Sequence, residues 1–351
     1  MAQDTAAVRY GHATRVFYSV SMADRHDLRV ATLGPSPSFE TLDGAGGTGG
    51  RTTHDVGSDV SAAVFHGAIH VFYRDDTTGD LRHAWFDGST WRFETLDGAS
   101  SLGGRVDADL GQRSEATRYA GRLEVFYLVP ATADVRRASY DGSTWTLSTI
   151  DGDSTASGHT IHEVGFNLQV AVWGGSLHVL YYERDPAYGD LLGWVREARL
   201  TGTSWSYAQA FRVNSIGPGK TLGVGVVGPS EVYVAYNTTI QDVSRLRRRL
   251  WDGASWTGGT DILVQGLGTG IAFPVVFVVT DGVTSLAYGG QSWGAGYLTW
   301  SGGDPTTQSA YPLSGVPTSA VVIGGTRAHI FWGGGEPEGC CDSLLVRTTG
   351  P

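Results

Sequence analysis

The sequence has 351 residues, with 51 glycines, 11 tryptophans, 15 tyrosines, 12 phenylalanines and a net charge of −10. That composition excludes a disordered chain, and the acidic balance excludes nucleic acid as the expected partner, since such affinity rests on Lys and Arg neutralising phosphates. No run approaches the roughly 18–20 apolar residues of a membrane span, and the start, Met1-Ala2-Gln3-Asp4-Thr5, lacks the basic and apolar segments of a signal peptide. The expected location is therefore cytoplasmic, or outside the cell by export without a visible signal peptide.

An aromatic that closes a short apolar run recurs at Tyr18, Tyr73, Tyr127, Tyr181, Tyr236, Tyr288 and Trp332, with spacings of 55, 54, 54, 55, 52 and 44 residues. A glycine precedes each: Gly11, Gly67, Gly121, Gly175, Gly228, Gly282 and Gly325. Each glycine follows another apolar run, such as Ala62-Ala63-Val64-Phe65. Strand, tight turn and strand is the predicted local structure, because glycine accepts φ > 0 and β-branched and aromatic residues fit a pleated surface. A third strand begins at Asp27-Leu28-Arg29, Asp80-Leu81-Arg82 and Asp134-Val135-Arg136, and drifts to Val195-Arg196-Glu197 and Leu246-Arg247-Arg248. Hairpins then turn on Asp87-Gly88, Asp141-Gly142 and Asp252-Gly253, a favoured turn dipeptide. The fourth strand is clearest where residues 39–45 recur verbatim as 93–99.

Four antiparallel strands in a repeat of ~50 residues is the arithmetic of a propeller blade. The expected fold is all-β, a seven-bladed β-propeller of four-stranded antiparallel blades. It is expected to span 1–351 as a single domain, with blades near 4–50, 51–104, 105–158, 159–218, 219–270, 271–315 and 316–351. The last repeat holds sequence for three strands only, so the termini are expected to exchange no whole strand. A pair of β-sandwiches is the alternative, but it gives no reason for a seven-fold register.

Two constellations could carry chemistry. Arg29, Arg82, Arg136, Arg196 and Arg247 occupy one point of the third strand in five repeats. Such an arginine either makes a structural ion pair or offers its donor fork to a ligand. The aromatic neighbours Trp85, Trp91, Tyr140, Trp145, Trp251 and Trp256 could stack on a sugar ring beside it. The second constellation precedes the first strand of three repeats: His54-Asp55, Asp109 and His162-Glu163. Ringing one mouth of a propeller, these could do acid–base work with Tyr233 or Trp293 nearby, or Asp55, Asp109 and Glu163 could hold a divalent cation; a solvated charged rim is the plain alternative. No resident cofactor is otherwise expected. Cys340 and Cys341 are adjacent, so they cannot staple the fold and complete no four-ligand zinc pattern. The Asp-box of sialidases, the WD40 signature, the nucleophile elbow and the Walker loop are missing.

Units such as Gly121-Arg122-Leu123-Glu124-Val125-Phe126-Tyr127, then Asp134-Val135-Arg136, then Tyr140-Asp141-Gly142-Ser143-Thr144-Trp145 resemble the blades of bacterial and fungal β-propeller lectins, including fucose-specific ones. The resemblance covers most of residues 4–270. It implies sugar sites in inter-blade clefts, built from an arginine, an acid and an aromatic. Arg82, Trp85, Trp91, Arg136, Tyr140, Trp145, Arg247 and Trp256 are the residues here that could match. A paired glutamate at a constant position is missing. Three classes stay open: a carbohydrate-binding lectin, with a glycan or small molecule as partner; an enzyme with one active site at a channel mouth, using His54, Asp55, His162 and Glu163; and a protein-interaction platform. Fold alone does not choose among them.

Overall fold

The computed structural model describes residues 5–258 apart from 22–24, 47, 99–101, 215–221, 229 and 241–242, and beyond these 260–261, 276–280, 283–290, 294–300, 307–311, 316–323, 327–333 and 344–349. The described residues form seven antiparallel sheets whose strands pair in chain order. The first holds β1 (Thr5–Tyr10), β2 (Ala13–Ser21), β3 (His26–Leu33) and β4 (Ser38–Asp43). The second holds β5 (Val56–Phe65), β6 (Ala68–Asp75), β7 (Asp80–Phe86) and β8 (Trp91–Asp97). The third holds β9 (Gln112–Tyr119), β10 (Arg122–Val129), β11 (Asp134–Tyr140) and β12 (Trp145–Asp151). The fourth holds β13 (Val164–Trp173), β14 (Ser176–Asp185), β15 (Gly189–Thr201) and β16 (Ser204–Asn214). The fifth holds β17 (Leu222–Gly228), β18 (Glu231–Ile240), β19 (Val243–Trp251) and β20 (Thr260–Asp261), and the sixth β21 (Val276–Thr280), β22 (Val283–Gly290), β23 (Gly294–Trp300) and β24 (Thr307–Tyr311). The seventh has three strands, β25 (Val316–Ile323), β26 (Arg327–Gly333) and β27 (Leu344–Thr349). Thr5 pairs with Tyr18 inside the first sheet, so the N-terminal strand belongs to its own repeat, as expected.

The chain divides into two compact units, Met1–Asp153 with Gly335–Leu344, and Ser154–Gly334 with Leu345–Pro351. In the first unit β1, β5 and β9 lie side by side, and in the second β13, β17, β21 and β25 do the same. Within each unit, the first strand of a repeat is thus the one that abuts the next sheet's first strand. Cores fill the seams. Phe17, Leu28 and Leu42 meet Val56, Ile69 and Tyr73 between the first and second sheets. Phe72 and Leu81 meet Leu123, Val125 and Tyr127 between the second and third. Fully burying one such side chain stabilises the fold by about 1.5–3 kcal/mol.

The hairpin turns are as the sequence indicates. Gly88 adopts φ 102° and Gly142 φ 103°, a region that disfavours other residues. Asp87 Oδ1 accepts from Ser89 N at 2.9 Å, Thr90 N at 2.9 Å and Ser89 Oγ at 2.8 Å. Asp141 repeats this with Ser143 and Thr144. These hydrogen bonds, above all those from the backbone of Thr90 and Thr144, hold the two carboxyls down at about 2.

Candidate functional site

Each repeated arginine stands directly opposite the anchoring tyrosine of its sheet: Arg29 with Tyr18, Arg82 with Tyr73, Arg136 with Tyr127, Arg196 with Tyr181 and Arg247 with Tyr236. In the second sheet a third residue completes the cluster. Asp43, at the end of β4 in the preceding sheet, accepts from Tyr73 Oη at 2.6 Å and from Arg82 Nε at 3.0 Å. The guanidinium also donates to Gly50 O at 2.6 Å and Thr95 Oγ1 at 3.3 Å. One repeat on, Asp97 accepts from Tyr127 Oη at 2.5 Å and Arg136 Nε at 2.9 Å, and Arg136 reaches Gly104 O and Thr149 Oγ1. Burial and the adjacent carboxylate push both tyrosine hydroxyls well above their ordinary pKa. Arg82 and Arg136 are buried, and their donor forks are engaged inside the fold. The ligand-facing role expected of them is thus occupied by a tether between sheets. The aspartate was legible only as part of the verbatim repeat. Its pairing with the following sheet's arginine is not written in any local pattern.

The tryptophans line the seams. Trp91 packs edge-on to Phe17 of the preceding sheet at 5.9 Å and lies 5.2 Å from Phe86. Trp145 meets Phe72 at 5.8 Å and stacks on Tyr140 at 4.8 Å. Trp256 meets Trp173 at 6.2 Å and Phe211 at 5.8 Å. Trp85 stacks on buried His83 at 5.0 Å. All four tryptophans, Tyr140 and Arg247 are half-buried.

The rim residues are each answered by a local partner. Asp55 Oδ1 accepts from the backbone N of His26 at 2.7 Å and lies 2.9 Å from His26 Nδ1. Asp109 pairs with Arg74, and Glu163 with Arg184. His54 Nδ1 sits 2.7 Å from Asp75 Oδ2, and His162 Nδ1 sits 2.8 Å from Glu183 Oε1. Both carboxylates are buried and both rings about two-fifths exposed. The third repeat has Ala108 and Val129 at these two places, so histidine and carboxylate are lost together. Among the described residues no three His, Cys, Asp or Glu side chains lie close enough to hold a metal ion.

One position escaped the sequence reading. Three residues before each anchoring tyrosine, on a strand otherwise apolar inward, stand Arg15, His70, Glu124, His178 and Tyr233. Four of them are buried and answered by neighbours. His70 Nδ1 lies 3.0 Å from His83 Nε2, and His83 Nδ1 lies 2.9 Å from Glu94 Oε1. Glu124 accepts twice from Arg137, at 2.7 Å each. His178 pairs with Glu197 at 2.5 Å, and Tyr233 donates to Glu231 at 2.8 Å. Arg15 differs. It is half-buried, and its Nε is enclosed without a hydrogen-bond partner. The residue after Arg29 is buried Val30, whereas the corresponding places hold His83, Arg137 and Glu197. The Arg15 guanidinium lies 4.4 Å from the Phe86 ring centre and 5.4 Å from that of Tyr10, in the seam walled by Trp91. Burial pulls its pKa below the ordinary arginine value, countered by Tyr10 and Glu40. The signal in the sequence was variability in charge at a fixed place within a constant frame.

No family model matches the sequence, and no curated protein does. Solved structures do. The SapL1 lectin, in complex with alpha methyl fucoside, is 16% identical with a TM-score of 0.54, over 89% of this chain and 96% of that one. The fucose-specific lectin from Aleuria aurantia is 16% identical with a TM-score of 0.52, over 88% and 95%. An ulvan lyase of polysaccharide lyase family PL25, bound to -[GlcA(1-4)Rha3S]-, is 13% identical with a TM-score of 0.58, over 93% and 88%. At such identities the likeness speaks for fold alone. With the seven sheets it makes this chain an all-β, seven-bladed propeller whose last blade has three strands.

Proposed function

We propose that the protein binds carbohydrate, with a saccharide seated at Arg15 in the seam between the first and second sheets. The observation that carries this reading is the half-buried guanidinium whose Nε has no partner, lying against Phe86 and Tyr10. Arg15 as a whole is half-buried, so the rest of its guanidinium can donate to acceptors that a ligand brings. A pyranose offers vicinal hydroxyls to a planar fork and C–H faces to flanking rings. Glu40 is exposed and close enough to act on Arg15 electrostatically, and it can accept a hydroxyl proton from the other side. Two of the lectins with this fold are described with fucose, which makes deoxyhexoses the first ligands to try.

A glycan array followed by calorimetry tests it. Arg15→Ala should weaken binding by about ten- to a hundredfold, the worth of a charged hydrogen bond. Arg82 is the wrong residue to mutate, because its loss removes a tether. Undiminished binding by Arg15→Ala, or a silent array with the native chain, would sink the reading.

A second reading, an enzyme, draws on the His54–Asp75 and His162–Glu183 pairs. A buried carboxylate that takes Nδ1–H fixes the tautomer and leaves Nε2 as a proton acceptor. Loss of polysaccharide cleavage in His54→Gln or His162→Gln would support it. Absence of cleavage of any polysaccharide by the native protein would dismiss it.

A further inference from the structure

The hairpin between the second and third strands is longest in the fourth repeat; eleven residues separate the paired tyrosine and arginine in the first and fifth sheets. Nine residues separate the paired tyrosine and arginine in the second and third sheets, Tyr73 to Arg82 and Tyr127 to Arg136, but fifteen separate Tyr181 and Arg196. The extra six extend the hairpin between β14 and β15. Strand β16 lengthens with it, to 11 residues against 7 in β8 and β12. The extension therefore pairs along three strands instead of looping loosely. Trp194 stands opposite Glu183 on one side and Arg212 on the other. Directly opposed residues share a sheet face, so these three form a row across the sheet.

The row ends in an aromatic platform. Arg212, about half exposed, lies 5.4 Å from the Trp194 ring centre and 5.9 Å from that of Tyr188, and its Nη2 donates to Asp185 Oδ2 at 3.3 Å. Tyr188 is 51% exposed and Leu191 71%. The hairpin holding Tyr188 is itself fixed. Tyr188 N donates to Asp185 O at 3.0 Å, Leu191 N to Tyr188 O at 3.1 Å, and Ala187 N to Asp185 Oδ1 at 3.0 Å. A large ring has thus been placed in water on a rigid support, beside a guanidinium and a carboxylate. The fold requires none of this, because the second and third repeats close the same hairpin without it.

We propose that Tyr188, Trp194, Arg212 and Asp185 form a second saccharide site, separate from Arg15, that takes a pyranose unit of a glycan chain. The exposed tyrosine face accepts the ring's C–H surface, and the Arg212–Asp185 pair gives and takes hydroxyl hydrogen bonds. A prefixed platform loses little conformational freedom on binding. A surface site of this kind is shallow, so it contributes by holding a neighbouring unit of a long chain and not by selecting a monosaccharide. The choice of ligand class rests on the carbohydrate reading above; the platform's existence does not.

The test uses the full chain as native protein and as Tyr188→Ala, Tyr188→Trp, Arg212→Ala and Arg15→Ala variants. Each is titrated with the best monosaccharide from the array and run in affinity electrophoresis with neutral and acidic polysaccharides in the gel. Tyr188→Ala and Arg212→Ala should lose polysaccharide retardation tenfold or more, keep monosaccharide affinity and melt as the native protein does. Tyr188→Trp should restore retardation. Native-like retardation of Tyr188→Ala overturns the platform and leaves the Arg15 reading standing. Loss in Tyr188→Ala with an inert Arg15→Ala does the reverse. No retardation or binding by the native chain removes both. Concentration-dependent self-association of the native chain that Tyr188→Ala abolishes, without retardation, assigns the surface to a second copy and overturns the saccharide site.

Discussion

His70 sits on a strand between two sheets, where a polar atom has only what its neighbours supply. Those neighbours form a line. His70 meets His83 ring to ring, and His83 meets the partly exposed Glu94. Tyr140 stands 6.0 Å from His70 and His66 lies close by. Burial first, and then His83, push the His70 pKa down to about 3. Burial lowers His83 too. In the unfolded chain a histidine titrates near 6.5, so between roughly pH 6.5 and 3 the unfolded state holds a proton that folded His70 does not. Stability should therefore fall as the pH drops through that window, by up to about 1.4 kcal/mol for each pH unit from this one group. Denaturant midpoints measured from pH 7.5 to 4.5 should slope downward towards acid, and His70→Gln should flatten the slope. An unchanged slope in the variant would place the acid sensitivity elsewhere. The same place in the strand carries Arg15, and nothing local tells a reader which of these polar residues is already answered.

At the scale of strands and sheets, the Asp–Tyr–Arg tether does the joining. Its tyrosine and arginine face each other across one hairpin, while its aspartate arrives from the sheet before. The same aspartate fixes the loop that follows: Asp97 Oδ1 accepts from Gly98 N and Val106 N, both at 2.9 Å, as Asp43 Oδ1 does from Gly44 and Thr52. One carboxylate thus satisfies four donors. Gly98 sits at φ 100°, and a Cβ there would overlap Asp80 Oδ1, which explains why glycine follows the aspartate in each copy. Asp97→Ala should lower stability by about 3–5 kcal/mol, because it strands the buried guanidinium of Arg136. Asp97→Asn, which keeps an acceptor, should lower it less. Urea unfolding measures both: equal losses would mean that a neutral acceptor contributes nothing, and native-like stability of Asp97→Ala would mean that the tether does not hold the sheets. Strands, turns and repeat length were legible because they are local: period-two apolar runs, Asp-Gly turns and a constant spacing. The tether was half legible. Its residues recur on schedule, but which acid meets which arginine depends on how one sheet packs on the next. The arginine offered as a ligand contact was therefore a joint.

Across the whole molecule, repetition of scaffold does not mean repetition of site. The tyrosine and the arginine keep their places while the residue three before the tyrosine runs through Arg15, His70, Glu124, His178 and Tyr233. The rim shows the same drift, with a histidine–carboxylate pair in the second and fourth repeats and Ala108 with Val129 in the third. A lectin with a site in every seam would gain avidity from equivalent sites at one spacing. Here, of the five repeats whose side chains are described at this position, Arg15 alone has an enclosed nitrogen without a partner. Two further repeats place Ser285 and His329 there. A monosaccharide should therefore saturate the chain at between one and three sites. Equilibrium dialysis with the best array ligand counts them directly, and Arg15→Ala should remove one. Five or more equivalent sites would mean that the pairs His70–His83, Glu124–Arg137 and His178–Glu197 open to admit sugar, and that internal pairing is no barrier to binding.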